Sequence, residues 1–252
     1  MGNHLMADKI DEIKRQVETY QWYHTIDLGH GIVTPGQYDH RPLLKHYGLP
    51  DDLSGKTVLD VGPAHGFFAF EFEKRGAARV VTVELPRWSE HDGSPTLKAG
   101  FTRDEVDVRN EAYLHDTLAF AIEARNSRVE RIFYNVYDIG SATTGVFDIV
   151  FCGSLLIHLT DPLRALYALQ AACREYAIIA TPIDHDPAAR EPRALFYGSV
   201  NGQAFWAPNM LCLERWALAA GFQRVERVST FRLKSLDGQF DSPHGTIKAF
   251  VE

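Results

Sequence analysis

Between Val58 and Glu84 the chain reads VLDVGPAHGFFAFEFEKRGAARVVTVE: a β-branched run ending in Asp60-Val61, a turn with glycines at 62 and 66, then a helical stretch closed by Gly76. A strand that turns this tightly into a helix aims the free amides of the helix start at whatever sits on the strand's carboxyl edge, and glycines let that ligand approach the backbone. Gly62, Ala64 and Gly66 are therefore candidate ligand contacts, although the same turn also serves as a plain strand-to-helix connection. The companions favour a ligand. The next strand ends in Glu84, where a carboxylate can accept hydrogen bonds from both hydroxyls of a ribose. After a third strand comes Asn135-Val136-Tyr137-Asp138, an acid suited to meet an adenine amino group. A fourth ends in Phe151-Cys152-Gly153-Ser154, whose small residues leave room for a flat ring or a sulfonium.

His158, in LLIHLTDP, follows that fourth strand. An imidazole there could take the proton from a substrate hydroxyl as its oxygen attacks; the plain alternative is a histidine that only holds its own loop. Thr160-Asp161-Pro162 reads as a helix cap with proline in the first turn. Asp184-His185-Asp186 concentrates two carboxylates and an imidazole, but adjacent residues rarely converge on one ion, so no metal site is expected and a solvated loop is the simpler reading. Tyr23, His24, His30 and His40 lie in an upstream stretch that could line a substrate. Phe196-Tyr197 and Phe205-Trp206 offer ring faces for stacking, or ordinary packing around the following helix.

These groups need a scaffold. An amphipathic helix is expected near Ile10, Ile13, Val17 and Tyr20, followed by an aperiodic stretch over residues 22–42 rich in Gly, Pro, His and aromatics. Segments 57–61, 79–84, 131–136, 147–151 and 176–180 read as strands separated by helices at 67–75, 111–125, about 162 onward and 209–220. Segments 222–231 and 246–251 read as a closing antiparallel pair, and 86–109 as irregular. This alternation predicts an α/β fold with a mostly parallel sheet and helices on both faces. Residues 1–50 are read as a helix and lid packed on a core domain of 51–252. With 252 residues, 45% of them hydrophobic and 23% charged, one large core is expected. The net charge of −7 and the lack of a Lys/Arg block speak against a broad nucleic-acid face. Three cysteines without paired spacing read as buried thiols. No long apolar run or leader pattern is present, so a cytoplasmic chain with no membrane partner is expected.

The turn G-x-A-x-G is nearer to E/DxGxGxG than to the dinucleotide pattern G-x-G-x-x-G, and the segment from about 55 to 252 resembles the class I S-adenosylmethionine-dependent methyltransferases. WYHTIDLGHGIVTPG, LSGKTVLDVG, FCGSLLIHLTDPLRAL and FWAPN resemble the subgroup of wobble-uridine tRNA methyltransferases, their carboxymethyl-transferring relatives and small-molecule enzymes, saccharide methyltransferases included. The resemblance implies a Rossmann-like fold with a seven-stranded sheet. It also implies S-adenosyl-L-methionine as donor, held by Arg41, Gly62, Ala64, Gly66, Glu84, Tyr137, Asp138, Cys152 and Gly153. Arg41 matches a basic position that helps hold the donor's carboxylate. Carboxymethyl-transferring members use a lysine and a tyrosine where His24 and Ile157 stand here, so ordinary S-adenosylmethionine is expected. The reading is an O-methyltransferase for a small hydroxylated substrate, with His158 as base and Tyr23, His24, His185 and Trp206 on the substrate side. The rivals are a tRNA wobble-uridine methyltransferase and a non-catalytic cofactor-binding domain.

Overall fold

The computed structural model describes residues 2–93, 105, 108–109, 111–186, 188–199 and 204–252. Most of the irregular stretch expected over 86–109, and the Gly/Asn loop at 200–203, lie outside the described residues.

Alternation of apolar residues builds a two-faced sheet. Along β3 (Thr57–Val61), Val58 joins one buried cluster and Leu59 and Val61 the other; along β6 (Phe147–Gly153), Ile149 and Phe151 oppose Val150 and Cys152. Strands buried on both faces read as continuous apolar runs, which is why these segments were legible. With β4 (Arg79–Glu84), β5 (Glu130–Phe133), β7 (Cys173–Pro182), β10 (Arg224–Lys234) and β11 (Asp241–Phe250), they form a seven-stranded sheet in the order β10-β11-β7-β6-β3-β4-β5. Strands β5, β4, β3, β6 and β7 run parallel, and β11 lies antiparallel to both β7 and β10.

One face carries α1 (Gly2–Thr19), α2 (Phe67–Lys74) and α3 (Thr117–Arg125). The other carries α4 (Pro162–Ala171) and α5 (Met210–Ala219). The expected cap is in place, Asp161 accepting from the Arg164 amide at 2.9 Å ahead of Pro162, and Asn209, expected inside its helix, instead caps it by accepting from the Cys212 amide at 2.9 Å. The connections through α2 and α4 leave on opposite faces, so a crevice opens between the carboxyl ends of β3 and β6.

Three boundaries differ from the sequence reading. The third strand stops at Phe133, and Val136–Asp138 form a 3-10 turn because Asn135 caps the Tyr137 amide at 3.1 Å. The fifth strand is longer, since β11 pairs with it from Tyr176 to Pro182. The upstream stretch is not aperiodic throughout. It holds a small hairpin, β1 (Asp27–Gly29) with β2 (Ile32–Val33), and a bridge between His24 and Tyr38. Trp22, Ile26 and Leu28 are buried in the same cluster as Phe67, Phe68 and Phe72. Cys152, Cys173 and Cys212 are buried free thiols, as expected. No helix among the described residues is long and apolar enough to cross a membrane.

Candidate active site

The carboxyl edge of β3 and β4 carries the glycine turn. Gly62, Ala64 and Gly66 all take positive φ, at 71°, 46° and 87°. For Gly66 the reason is local packing as well: a Cβ there would stand 2.6 Å from Leu118 Cδ1. Ala64 tolerates a left-handed conformation that costs an L residue about 1 kcal/mol, strain of a kind that collects at functional turns. Gly62 and Ala64 remain partly open while Pro63, His65 and Gly66 are buried, so the turn presents backbone outward.

Two carboxylates flank it. Glu84 ends β4; its Oε1 accepts from the Leu85 amide at 2.8 Å, yet burial outweighs that bond and pushes the carboxyl up to about 7. Asp60, on β3, is 1% exposed, and its Oδ2 has no partner among the described residues. Burial, opposed by the Ala69 amide and reinforced by Glu84, raises Asp60 to about 8. Asp60 is the acid of the turn motif, and sequence reasoning passed over it. A buried oxygen left unpaired costs free energy unless something binds there.

At the β6 exit, Gly153 and Ser154 lie beside the turn, and the side chain of Leu155 covers Gly62, 3.3 Å from where a Cβ would project. Ser154 also takes a positive φ, 54°, with its amide bonded to the Ala180 carbonyl at 2.7 Å. The Cys152 thiol is correctly placed in sequence but turns into the core against α4. Only its backbone can serve the edge, and burial pushes the thiol up to about 12.

His158 ends a 3-10 turn, Leu156–His158, and is partly exposed. Its ring lies 6.3 Å from that of His91, which in turn stacks on Trp88 at 4.5 Å. A flap, β8 (Ala194–Phe196) paired with β9 (Trp206–Pro208), braces this turn: the Phe205 amide donates to the Ile157 carbonyl at 2.7 Å and Trp206 Nε1 to the Thr160 carbonyl at 3.2 Å. Asp92 tightens the same corner, accepting from the Tyr137 hydroxyl and from the Thr160 amide at 2.7 Å. Tyr137 is thus anchored beside this corner, under the Arg164 guanidinium at 4.7 Å.

The upstream segment closes over the glycine turn through a residue that spacing did not single out. His65 is completely buried; the Tyr23 amide donates to its Nδ1 at 2.8 Å, which leaves Nε2–H to donate to the Tyr113 carbonyl at 2.8 Å. Burial lowers it to about 4, so this neutral tautomer persists. His24 stacks edge-on to His40 with ring centroids 5.1 Å apart, and Tyr23 packs on His24 at 4.9 Å.

Three expected contacts are placed elsewhere. The Arg41 guanidinium is committed to Asp39, with Nε at 2.8 Å and Nη2 at 2.7 Å, on an exposed side chain. Asp138 is exposed and drawn to Arg164 Nη2 at 3.5 Å, because the turn that holds Tyr137 rotates the next side chain outward. His185 is exposed, and its neighbours Asp184 and Asp186 are both held by Arg193, at 2.8 and 2.9 Å, which explains the acidic cluster as a loop clasp.

Compared with known proteins, residues 37–227 match a methyltransferase domain family. The chain belongs to that family. Among curated relatives, a tRNA U34 carboxymethyltransferase of Desulfotalea psychrophila is 25% identical over 190 residues, 73% of this chain and 49% of the relative. One of Campylobacter hominis is 25% identical over 185 residues, 69% and 53% of the two chains. The methyltransferase chain therefore spans about half the length of the curated relatives it matches. Among solved structures, the N-terminal domain of EvdMO1, determined with SAH and D-fucose, superposes with a TM-score of 0.60 at 15% identity, covering 96% of this chain and 97% of that one. That likeness carries the fold, a Rossmann-like methyltransferase.

The donor of this methyltransferase is S-adenosyl-L-methionine, and the residues present fit it. Glu84 is a partly exposed carboxylate of the type that can accept from ribose hydroxyls, the open backbone of Gly62 and Ala64 faces the same edge, and buried Asp60 has an unpartnered Oδ2 among the described residues.

Proposed function

We propose that this methyltransferase transfers a methyl group to a hydroxyl of a small molecule, a saccharide or secondary metabolite being the class in view. The observation that carries the donor half is the pair of carboxylates beside the open Gly62–Gly66 turn: Glu84, partly exposed at the end of β4, and buried Asp60, whose Oδ2 has no partner among the described residues. When bound, the donor supplies an activated methyl on a sulfonium that departs as a neutral thioether. The chain's own tasks are to align the acceptor oxygen and remove its proton.

His158 is the base in this reading. An aliphatic hydroxyl does not ionise unaided near neutral pH, and His158 sits on the turn that leaves the β6 exit, braced by the β8–β9 flap and Trp206. Tyr23 and His24 contact the glycine turn through His65, which supports reading them on the acceptor side. Support for a small acceptor comes from the net charge of −7 and from EvdMO1, whose structure contains D-fucose. A second reading, methylation of a wobble uridine, is favoured by the tRNA-modifying relatives.

Incubating the protein with methyl-labelled donor and a cell extract separated into RNA and small molecules tests both. Label in small molecules upholds the proposal; label confined to tRNA replaces it with the second reading. Tight binding of S-adenosylhomocysteine with no label in any fraction would mean a cofactor-binding domain without turnover.

A further inference from the structure

Four buried imidazoles form a continuous path from the glycine turn to the β6 exit. His65 stands in the turn; His24 is 6.4 Å from it by ring centroids; His40 is 5.1 Å from His24. His244, on β11, is reached through two further rings, Tyr47 at 5.7 Å from His40 and Phe231 at 5.1 Å from Tyr47 and 5.5 Å from His244, and its Nε2 lies 3.3 Å from Ser154 Oγ. Strand β11 runs antiparallel to β7, with His244 opposite Pro182, so its beginning meets the ends of the parallel strands and His244 arrives at the donor edge.

Two of the four rings are not satisfied. His24 is 4% exposed and His40 3%, and His24 Nδ1 and His40 Nε2 have no hydrogen-bond partner among the described residues. Neighbouring Thr25 Oγ1 is equally buried and unpartnered. His40 Nδ1 is engaged by the Tyr47 hydroxyl at 2.8 Å, and His244 Nδ1 lies 3.1 Å from the Ser242 carbonyl, which fixes its Nε2 as the acceptor for Ser154. Apolar side chains would pack such a core at lower cost, so unsatisfied imidazoles here point to a ligand.

Resting on the proposed methyl transfer, we infer that His24, His40, Thr25 and the Ser154–His244 pair form the acceptor subsite, and that it takes an uncharged polyhydroxylated molecule and rejects phosphorylated or otherwise anionic forms. A neutral imidazole offers one donor and one acceptor, the complement of a hydroxyl. Among the described residues, the ring contacts and hydrogen bonds of His24, His40 and His244 are to other histidines, aromatic rings, serines and backbone, with no Lys or Arg side chain in them. Burial lowers His40 to about 3 and His244 to about 4, so the lining carries no compensating positive charge near neutral pH. A phosphate placed there would be desolvated without a counter-ion.

The experiment has two arms. Methyl-labelled donor is incubated with the protein and a small-molecule extract, and the products are passed over an anion exchanger. Label in the unretained neutral fraction is expected; label only in the retained fraction overturns the subsite while leaving methyl transfer standing, and label in no fraction removes the transfer reading with it. With the neutral product in hand, ring nitrogens of His24 and His40 in 15N-histidine-labelled protein saturated with S-adenosylhomocysteine are followed as that product is added. Shifts at both rings are expected, and His40→Phe should raise the acceptor KM at least tenfold with S-adenosylhomocysteine affinity within twofold of the wild type. Unmoved ring signals overturn the inference even if the variant fails to fold.

Discussion

Glu84 and Asp60 are the residues whose chemistry is most open to measurement. Glu84→Ala should weaken S-adenosylhomocysteine by about 1.5–3 kcal/mol through the lost charged hydrogen bonds, read by calorimetry on folded variant. The pH dependence has a definite sign. Burial holds the free Glu84 carboxyl near 7, so at pH 6 it is mostly protonated and must ionise to accept two ribose hydroxyls. Affinity should therefore rise roughly tenfold from pH 6 to pH 8, as linkage requires of one such group, and a flat profile would mean that the ribose does not rest on Glu84. For Asp60 the same reasoning concerns folding. With its folded value raised to about 8, the group's contribution is full below its unfolded value near 4 and is lost as pH rises through about 8. Asp60→Asn should thus raise the melting temperature of the unliganded protein at pH 8 while weakening donor binding. His158→Ala should lower turnover about 100-fold with donor affinity nearly intact. Near-normal turnover with chemistry rate-limiting would remove His158 as base, and joint loss of donor binding would make it a pocket residue.

At the scale of elements, the upstream segment is tied down from several sides. The Gln37 amide donates to the Trp22 carbonyl at 2.8 Å, the Leu236 amide to the Gln37 carbonyl at 2.8 Å, Arg125 to the Asp27 carbonyl, and Tyr23 to His65. Gly36 is its tightest point: a Cβ there would overlap the backbone of His24 and Thr25, which cannot step aside as a side chain can. Gly36→Ala should cost several kcal/mol locally, seen as faster hydrogen exchange over residues 22–40 with the sheet still protected. The lid reading has its own measurement: exchange over residues 22–42 should slow when S-adenosylhomocysteine is added, because the His65 turn that would hold the donor also holds Tyr23. Equal exchange with and without it would make the segment a fixed wall. Gly62→Val should abolish donor binding, since its φ of 71° disfavours a branched residue and Leu155 already fills the adjoining space.

For the molecule as a whole, the sheet order brings the glycine turn, Glu84 and the β6 exit to one edge, and the N-terminal helix shares a buried cluster with α2 and α3, so the upstream segment is not separable from the core. The Desulfotalea psychrophila and Campylobacter hominis relatives are about twice as long as the portion matched here, and the full EvdMO1 chain is likewise covered to 47%. If the acceptor is small, activity should vary little between low and moderate salt. A tRNA acceptor held by phosphate contacts would lose affinity steeply over the same range.

The strands, the glycine turn, the place of Glu84 at the end of β4 and the cap of α4 were legible in the sequence because each is a local rule: apolar runs for doubly buried strands, glycine for positive φ, Asp before a helix. His65 and Asp60 were quoted within that motif but not recognised, since a fully buried imidazole and an unpaired carboxylate have no signature in spacing. Arg41, Asp138 and His185 were reasonable by position, yet their side-chain directions are set by Asp39, by Arg164 and by the surrounding loop. The order of the sheet, by contrast, brings His244 to within 3.3 Å of Ser154 across 90 residues. Sequence determines what each strand can bury; only the closed packing of both faces decides which polar groups are left unpaired at the edge, because that depends on neighbours distant in the chain.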